Sequence, residues 1–202
     1  MYKRQGDDTA EDQVTLNPTP HVTRQPFGMI LLPVLSFILN GGTWMIGFAS
    51  APYDPGWAMR FPKKAALMAA AGPISTLLVA AVAAIAIHIG IAAGYWVPSG
   101  IALDQIVVDA TSREPGAIST FVSVLFSVNV LIGFFNLIPV APLDGHAIVP
   151  LFLNERQTRK WFALFAERSA SVFGLMIAFV LFTKMFAPIY AAALWLLYMP
   201  LR

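Results

Sequence analysis

The 202 residues contain no cysteine, so neither a disulfide framework nor a thiolate metal site is available. Charge is scarce as well: Asp, Glu, Lys and Arg make up 12% of the chain, where a soluble domain carries about 25%. Hydrophobic residues reach 57% and the mean hydropathy is +0.68. That balance excludes an ordinary soluble globule and points to an integral membrane protein. The net charge is only +2, and no basic run alternates with aromatics, so nucleic acid is not an expected partner. The three histidines, His21, His88 and His146, are scattered. None belongs to a His-Glu-x-x-His pattern, whose i, i+4 spacing would set two imidazoles on one helical face.

The charge-free runs that are present give the organisation. MYKRQGDDTAEDQ does not read as a signal peptide, because acidic residues stand where an apolar region should follow. Met1–Gln5 are expected to be non-native, since MYKRQ resembles a translated sequencing-adapter remnant; an ordinary polar N-terminus is the alternative. Residues 1–26 form a polar N-terminal segment, and Pro18, Pro20 and Pro26 suggest extended surface chain from Gly6 onward. Residues 27–202 form a membrane-embedded core. Within it, Phe27 to Tyr53 is interrupted by Pro33 and the Gly41-Gly42 pair, which argues for a re-entrant or broken hairpin. One helix fits between Ala65 and Val97, with small residues suited to close helix packing. A second span ends near Asn136. Ser169 to Leu201, carrying Lys184 and then Pro188, is one tilted helix or a short hairpin. The expected fold is all-α and polytopic, with about three to four membrane segments.

Flanking charges orient these spans. Arg60, Lys63 and Lys64 precede the first long helix, and Arg156, Arg159, Lys160 and Arg168 follow the second. The loop between the two helices carries Asp104, Asp109 and Glu114 against Arg113 alone. Both basic loops then fall on one side, the cytoplasm by the positive-inside rule.

The polar residues of FNLIPVAPLDGHAI, residues 135–148, stand where a membrane-length segment breaks down. Asp144 reads either as an interfacial turn residue, since Asp-Gly after Pro142 is an ordinary turn signal, or as a metal ligand or proton relay at membrane depth. Asn136 taken alone suits a helix–helix hydrogen bond, and Asn129, on nearly the same helical face, suits packing. His88 reads as a packing or helix-end histidine, His21 as a loop residue, and His146 as a neighbour of Asp144 or a plain loop residue.

Beyond these single residues, FNLIPVAPLDG resembles the second signature of the site-2 protease family, intramembrane zinc metalloproteases with Asn, then Pro, then Asp-Gly at the end of a transmembrane helix. Here those are Asn136, Pro142, Asp144 and Gly145. Four further blocks resemble short bacterial members in the same order: GDDTAEDQVTLNPTPHV (Gly6–Val22), PFGMILLP (Pro26–Pro33), GFASAPYDP (Gly47–Pro55) and KKAALMAAAGPISTLL (Lys63–Leu78). Two departures stand out. The Ala-Gly-Pro helix commonly carries an Asn where this chain has Thr76, and MYKRQ occupies the place of the helix with His-Glu-x-x-His. Truncation would explain the second.

The resemblance implies a zinc metalloendopeptidase that hydrolyses peptide bonds in or near transmembrane segments of a protein substrate, within a lipid bilayer, expected to be the bacterial plasma membrane. It implies Asp144 as the third zinc ligand, with two histidines and the general-base Glu absent from this chain. Asn136 would support the substrate or the developing oxyanion, and Ala49, Ser50 and Ala51 would bind substrate along an extended edge. Lacking its other ligands, the chain as written is expected to hold no stable Zn(2+) and to be inactive. The alternative is a non-catalytic membrane scaffold or binding relative of the family. A small transporter would show paired intramembrane charges or inverted repeats, and neither is visible.

Overall fold

Long runs of Ala, Leu, Ile, Val and Phe without charge leave the backbone one economical solution in lipid, which is to satisfy its own hydrogen bonds as helix. The computed structural model of the protein describes residues 19–24, 26–39, 41–42, 54–164 and 168–199. Contacts divide the chain into two units, Met1–Lys64 and Ala65–Arg202.

In the first unit a short helix, α1 (Thr19–Arg24), is followed by a π-helical turn (Phe27–Leu31) and α2 (Leu32–Leu39). The extended chain expected here is therefore helical at α1. Pro20 sits in the first turn, where a proline's missing N–H and fixed φ are tolerated. Gly41 and Gly42 follow α2 with φ of +64° and +80°, the left-handed backbone that ends a helix, so the expected break falls at this pair. Residue 40 and residues 43–53, the second limb of the expected hairpin, lie outside the described residues. A further short helix, α3 (Pro55–Arg60), is capped by Asp54, whose carboxylate accepts from the Gly56 amide at 2.8 Å.

The second unit carries the long helices. Helix α4 (Pro62–Ala92), whose first three residues belong to the first unit, runs through it from Ala65, a two-stranded antiparallel hairpin of β1 (Trp96–Pro98) and β2 (Val107–Asp109) follows, and α5 (Ala117–Asn136) returns. A short helix α6 (Asp144–Ile148), a 3-10 turn (Val149–Phe152) and α7 (Glu155–Leu164) lead to α8 (Arg168–Tyr198). Helices α4 and α5, with the stretch Met176–Tyr198 of α8, are long and apolar enough to cross a membrane, three such spans among the described residues. At 1.5 Å per residue the 20 residues of α5 cover about 30 Å, the thickness of the hydrocarbon core. The final apolar stretch is thus one continuous helix, despite Lys184 and an internal Pro188.

The core of this unit joins Ala80, Ala83 and Ile87 of α4, Val122, Phe126 and Val130 of α5, and Tyr190, Leu194 and Leu197 of α8. Ala on α4 lets the helices close up, as expected for packing in lipid. Ile106 and Val107 of the hairpin belong to the same cluster and are fully buried. Serines 119, 123 and 127, spaced four apart along α5, are fully buried too. The Val107 amide donates to Ser123 Oγ at 3.3 Å, Ser127 Oγ donates to the Leu103 carbonyl at 2.8 Å, and Tyr198 Oη donates to the Ile106 carbonyl at 2.7 Å. The hairpin is therefore pinned into the bundle.

Candidate active site

The end of α5 is set by its sequence. After Asn136 the prolines at 139 and 142 cannot extend a helix, and the chain folds into a series of tight turns. Backbone bonds from Val140 N to Ile138 O (2.8 Å) and from Leu143 N to Val140 O (2.9 Å) hold them, and the Ala141–Pro142 bond is cis. Leu143 is extended, and Asp144 then opens α6, where a carboxylate complements the positive helix end.

Three helices brace this turn through close approaches. A Cβ on Gly72 of α4 would lie 2.8 Å from Asp144 Oδ2, so a side chain there would displace the carboxylate from this position. A Cβ on Gly174 of α8 would collide with the Ala141 carbonyl, and one on Gly145 with the carbonyls of Leu137 and Ile138. From α7, the Trp161 indole N–H donates to the His146 carbonyl at 2.9 Å. The His146 ring stacks on Trp161 with centroids 5.6 Å apart and meets Phe162 edge-on at 6.2 Å.

Asp144 is half-buried, and burial pushes its carboxyl pKa above the usual aspartate value; burial also lowers the His146 pKa. Gly72 lies eight residues beyond Lys64, so the carboxylate meets α4 about 12 Å along the axis from its last lysine.

Thr76 lies one turn beyond Gly72 on the same face of α4. Its hydroxyl donates to the Pro73 carbonyl at 2.9 Å and would sit 3.0 Å from a Cβ on Gly133 of α5. Gly133 is one turn before Asn136, which is half-buried at the last position of α5. One face of α4 thus meets both the turn bearing Asp144 and the segment of α5 leading to Asn136. Asn129 makes an intrahelical bond to the Leu125 carbonyl at 2.8 Å, in keeping with a packing role. His88 is half-buried in α4. His21 falls in α1, a helix rather than the expected loop. Ala49, Ser50 and Ala51 lie outside the described residues.

A carboxylate oxygen set where a Cβ would intrude is a suitable single ligand for zinc. Among the described residues, however, no group of three or more His, Cys, Asp or Glu could hold a metal ion. Those residues alone do not make a zinc site.

Sequence reading missed the parts played by Gly72, Gly133 and Gly174. The first stands in the quoted Ala-Gly-Pro block, so a signal existed; the others depend on which helices meet.

A bundle with three helices of membrane-crossing length and composition defines an integral membrane protein. The model of peptidase family M50 matches residues 19–181, more than half of the chain, and the chain belongs to that family, the site-2 protease family. It is also 28% identical over 206 residues to a Bacillus subtilis (strain 168) protein named "Putative zinc metalloprotease YwhC", covering 94% of this chain and 73% of that protein. No solved structure matches.

Proposed function

We propose that the chain is the membrane core of an intramembrane zinc metalloendopeptidase of the site-2 type, and that Asp144 is a zinc ligand. The observation that carries the reading is the Asp144 turn, where a half-buried carboxylate is held against Gly72 by bracing from α4, α7 and α8. Bound zinc would supply a water acidified to a pKa of about 7 and a Lewis acid for the scissile carbonyl.

The chain's own residues do the rest of what it can do. Asn136 offers a side-chain amide to the carbonyl oxygen as negative charge builds, an interaction worth about 2.7–4 kcal/mol in comparable sites. Ala49, Ser50 and Ala51 would pair, backbone to backbone, with a substrate helix once it has unwound. The substrate is a transmembrane protein, and the site lies toward the cytoplasmic side of a bacterial plasma membrane.

Zinc takes three protein ligands at a catalytic site, and among the described residues no such set is present. On this reading the 202 residues by themselves are inactive. Purified chain should hold well under one zinc per molecule by elemental analysis and leave a labelled transmembrane peptide intact. Stoichiometric zinc together with cleavage would overturn that part. In the enzyme with all its ligands, Asn136→Ala should lower kcat by about 10²–10³. Ala49→Pro or Ala51→Pro should impair cleavage, and unchanged cleavage would count against the edge-pairing role. If the protein with a full ligand set bound neither zinc nor substrate peptide, a non-catalytic membrane scaffold would be the better reading.

A further inference from the structure

Helix α7 divides its residues sharply. Thr158, Trp161 and Phe162, spaced three and four apart, are buried or half-buried, while Arg156, Arg159 and Lys160 are exposed on the opposite side. With Asn154 and Glu155 these three cations line a surface recess of about 680 Å³. Glu155 meets Arg159 at 3.9 Å with both side chains exposed, so among the described residues lining the recess three cations face one carboxylate. The helix lies in the connection between the end of α5 and the start of α8, where two membrane-length helices terminate at the same end of the unit. Large apolar side chains flank it: Phe152, 83% exposed, just before and Leu164, 67% exposed, at its end.

A short helix with a basic outer face, apolar residues at both ends and a position at the end of membrane spans has the design of an interfacial helix. We propose that α7 is a docking surface for the headgroups of anionic phospholipids in the adjoining leaflet. Arg156, Arg159 and Lys160 hold the phosphate, and Phe152 and Leu164 enter the acyl boundary. Charge complementarity favours this occupant: an anionic leaflet attracts juxtamembrane cations, each worth about fivefold in affinity. The surface is independent of the metal and of the protease reading. It bears on the site all the same, because Trp161 ties α7 to the carbonyl two residues after Asp144.

The absence of native cysteine makes the test direct. The full chain carrying Leu164→Cys, labelled with a polarity-sensitive fluorophore, is reconstituted in nanodiscs of phosphatidylcholine with or without phosphatidylglycerol. Phosphatidylglycerol should shift the emission to the blue, with a dependence that saturates and weakens in high salt. The triple variant R156Q/R159Q/K160Q should need about a hundredfold more of the lipid for the same shift, while R156K/R159K, which keeps the charge, should respond like the parent. Circular dichroism showing parental helix content in all variants excludes unfolding as the cause. An equal blue shift in pure phosphatidylcholine would overturn the anionic preference. The same shift produced by soluble glycerol phosphate would overturn the lipid assignment in favour of a free-phosphate site, and one produced by an acidic peptide would indicate a protein partner instead.

Discussion

Gly72 shows how much of the site depends on what a residue leaves out. It has no function of its own, yet Asp144 Oδ2 lies only 2.8 Å from where any side chain would place its first atom. Gly72→Ala must therefore push the carboxylate aside or shift α4. In the enzyme with all its ligands, zinc affinity should drop about 10–100-fold, the range seen when residues that orient a metal ligand are altered. Competition with a chelating dye reads this without an activity assay, and an unchanged affinity would show that the carboxylate is not held where the account places it. Asn136 and Asp144 could be picked out in the sequence because polar side chains are rare at the end of an apolar run. Gly133 and Gly174 could not, since a glycine announces a close approach only once its neighbour is known.

Helix limits were legible because prolines and charges punctuate apolar runs. Asn136 was expected as the end of a span and is the last residue of α5. Between one helix and a hairpin for Ser169 to Leu201 the sequence was undecided, and tertiary contacts decide it: Tyr190, Leu194 and Leu197 all pack in one core, beyond Pro188. The hairpin of β1 and β2 was hidden for another reason. Its stretch, with Asp104, Asp109, Arg113 and Glu114, reads as polar loop, and its anchoring depends on serines far along the chain, Ser123 16 residues beyond Val107 and Ser127 24 beyond Leu103. Ser127 accounts for much of that anchoring, since it donates to Leu103 and lies 2.9 Å from the Tyr190 hydroxyl. Ser127→Ala strands both partners and should destabilise the protein by about 1–3 kcal/mol. Tyr198→Phe, which loses the bond to Ile106, should cost about 0.6–1.5 kcal/mol. Unfolding in mixed micelles measures both, and two silent substitutions would mean that the hairpin is not pinned. On the opposite end of the unit, Trp161→Phe keeps the ring against His146 and removes one hydrogen bond. It should cost about 1 kcal/mol by the same assay.

For the whole molecule, α4 and α5 run out and back, so α7 and the β1–β2 hairpin belong to opposite faces of the membrane. Thr111→Cys and Glu155→Cys, both at exposed positions, should react with an impermeant maleimide from opposite sides of sealed vesicles. The Glu155 position should be the cytoplasmic one, as the basic residues around it require. Labelling of both from one side would break this topology. The central claim is narrower: this turn carries a carboxylate ligand of the catalytic zinc. The most direct measurement compares zinc content by elemental analysis in the enzyme with all its ligands and in its Asp144→Asn form, which keeps the size of the side chain. Loss of most bound zinc, with helix content unchanged, is the predicted result. Full zinc occupancy in the Asn variant would contradict the account and leave Asp144 an ordinary turn residue.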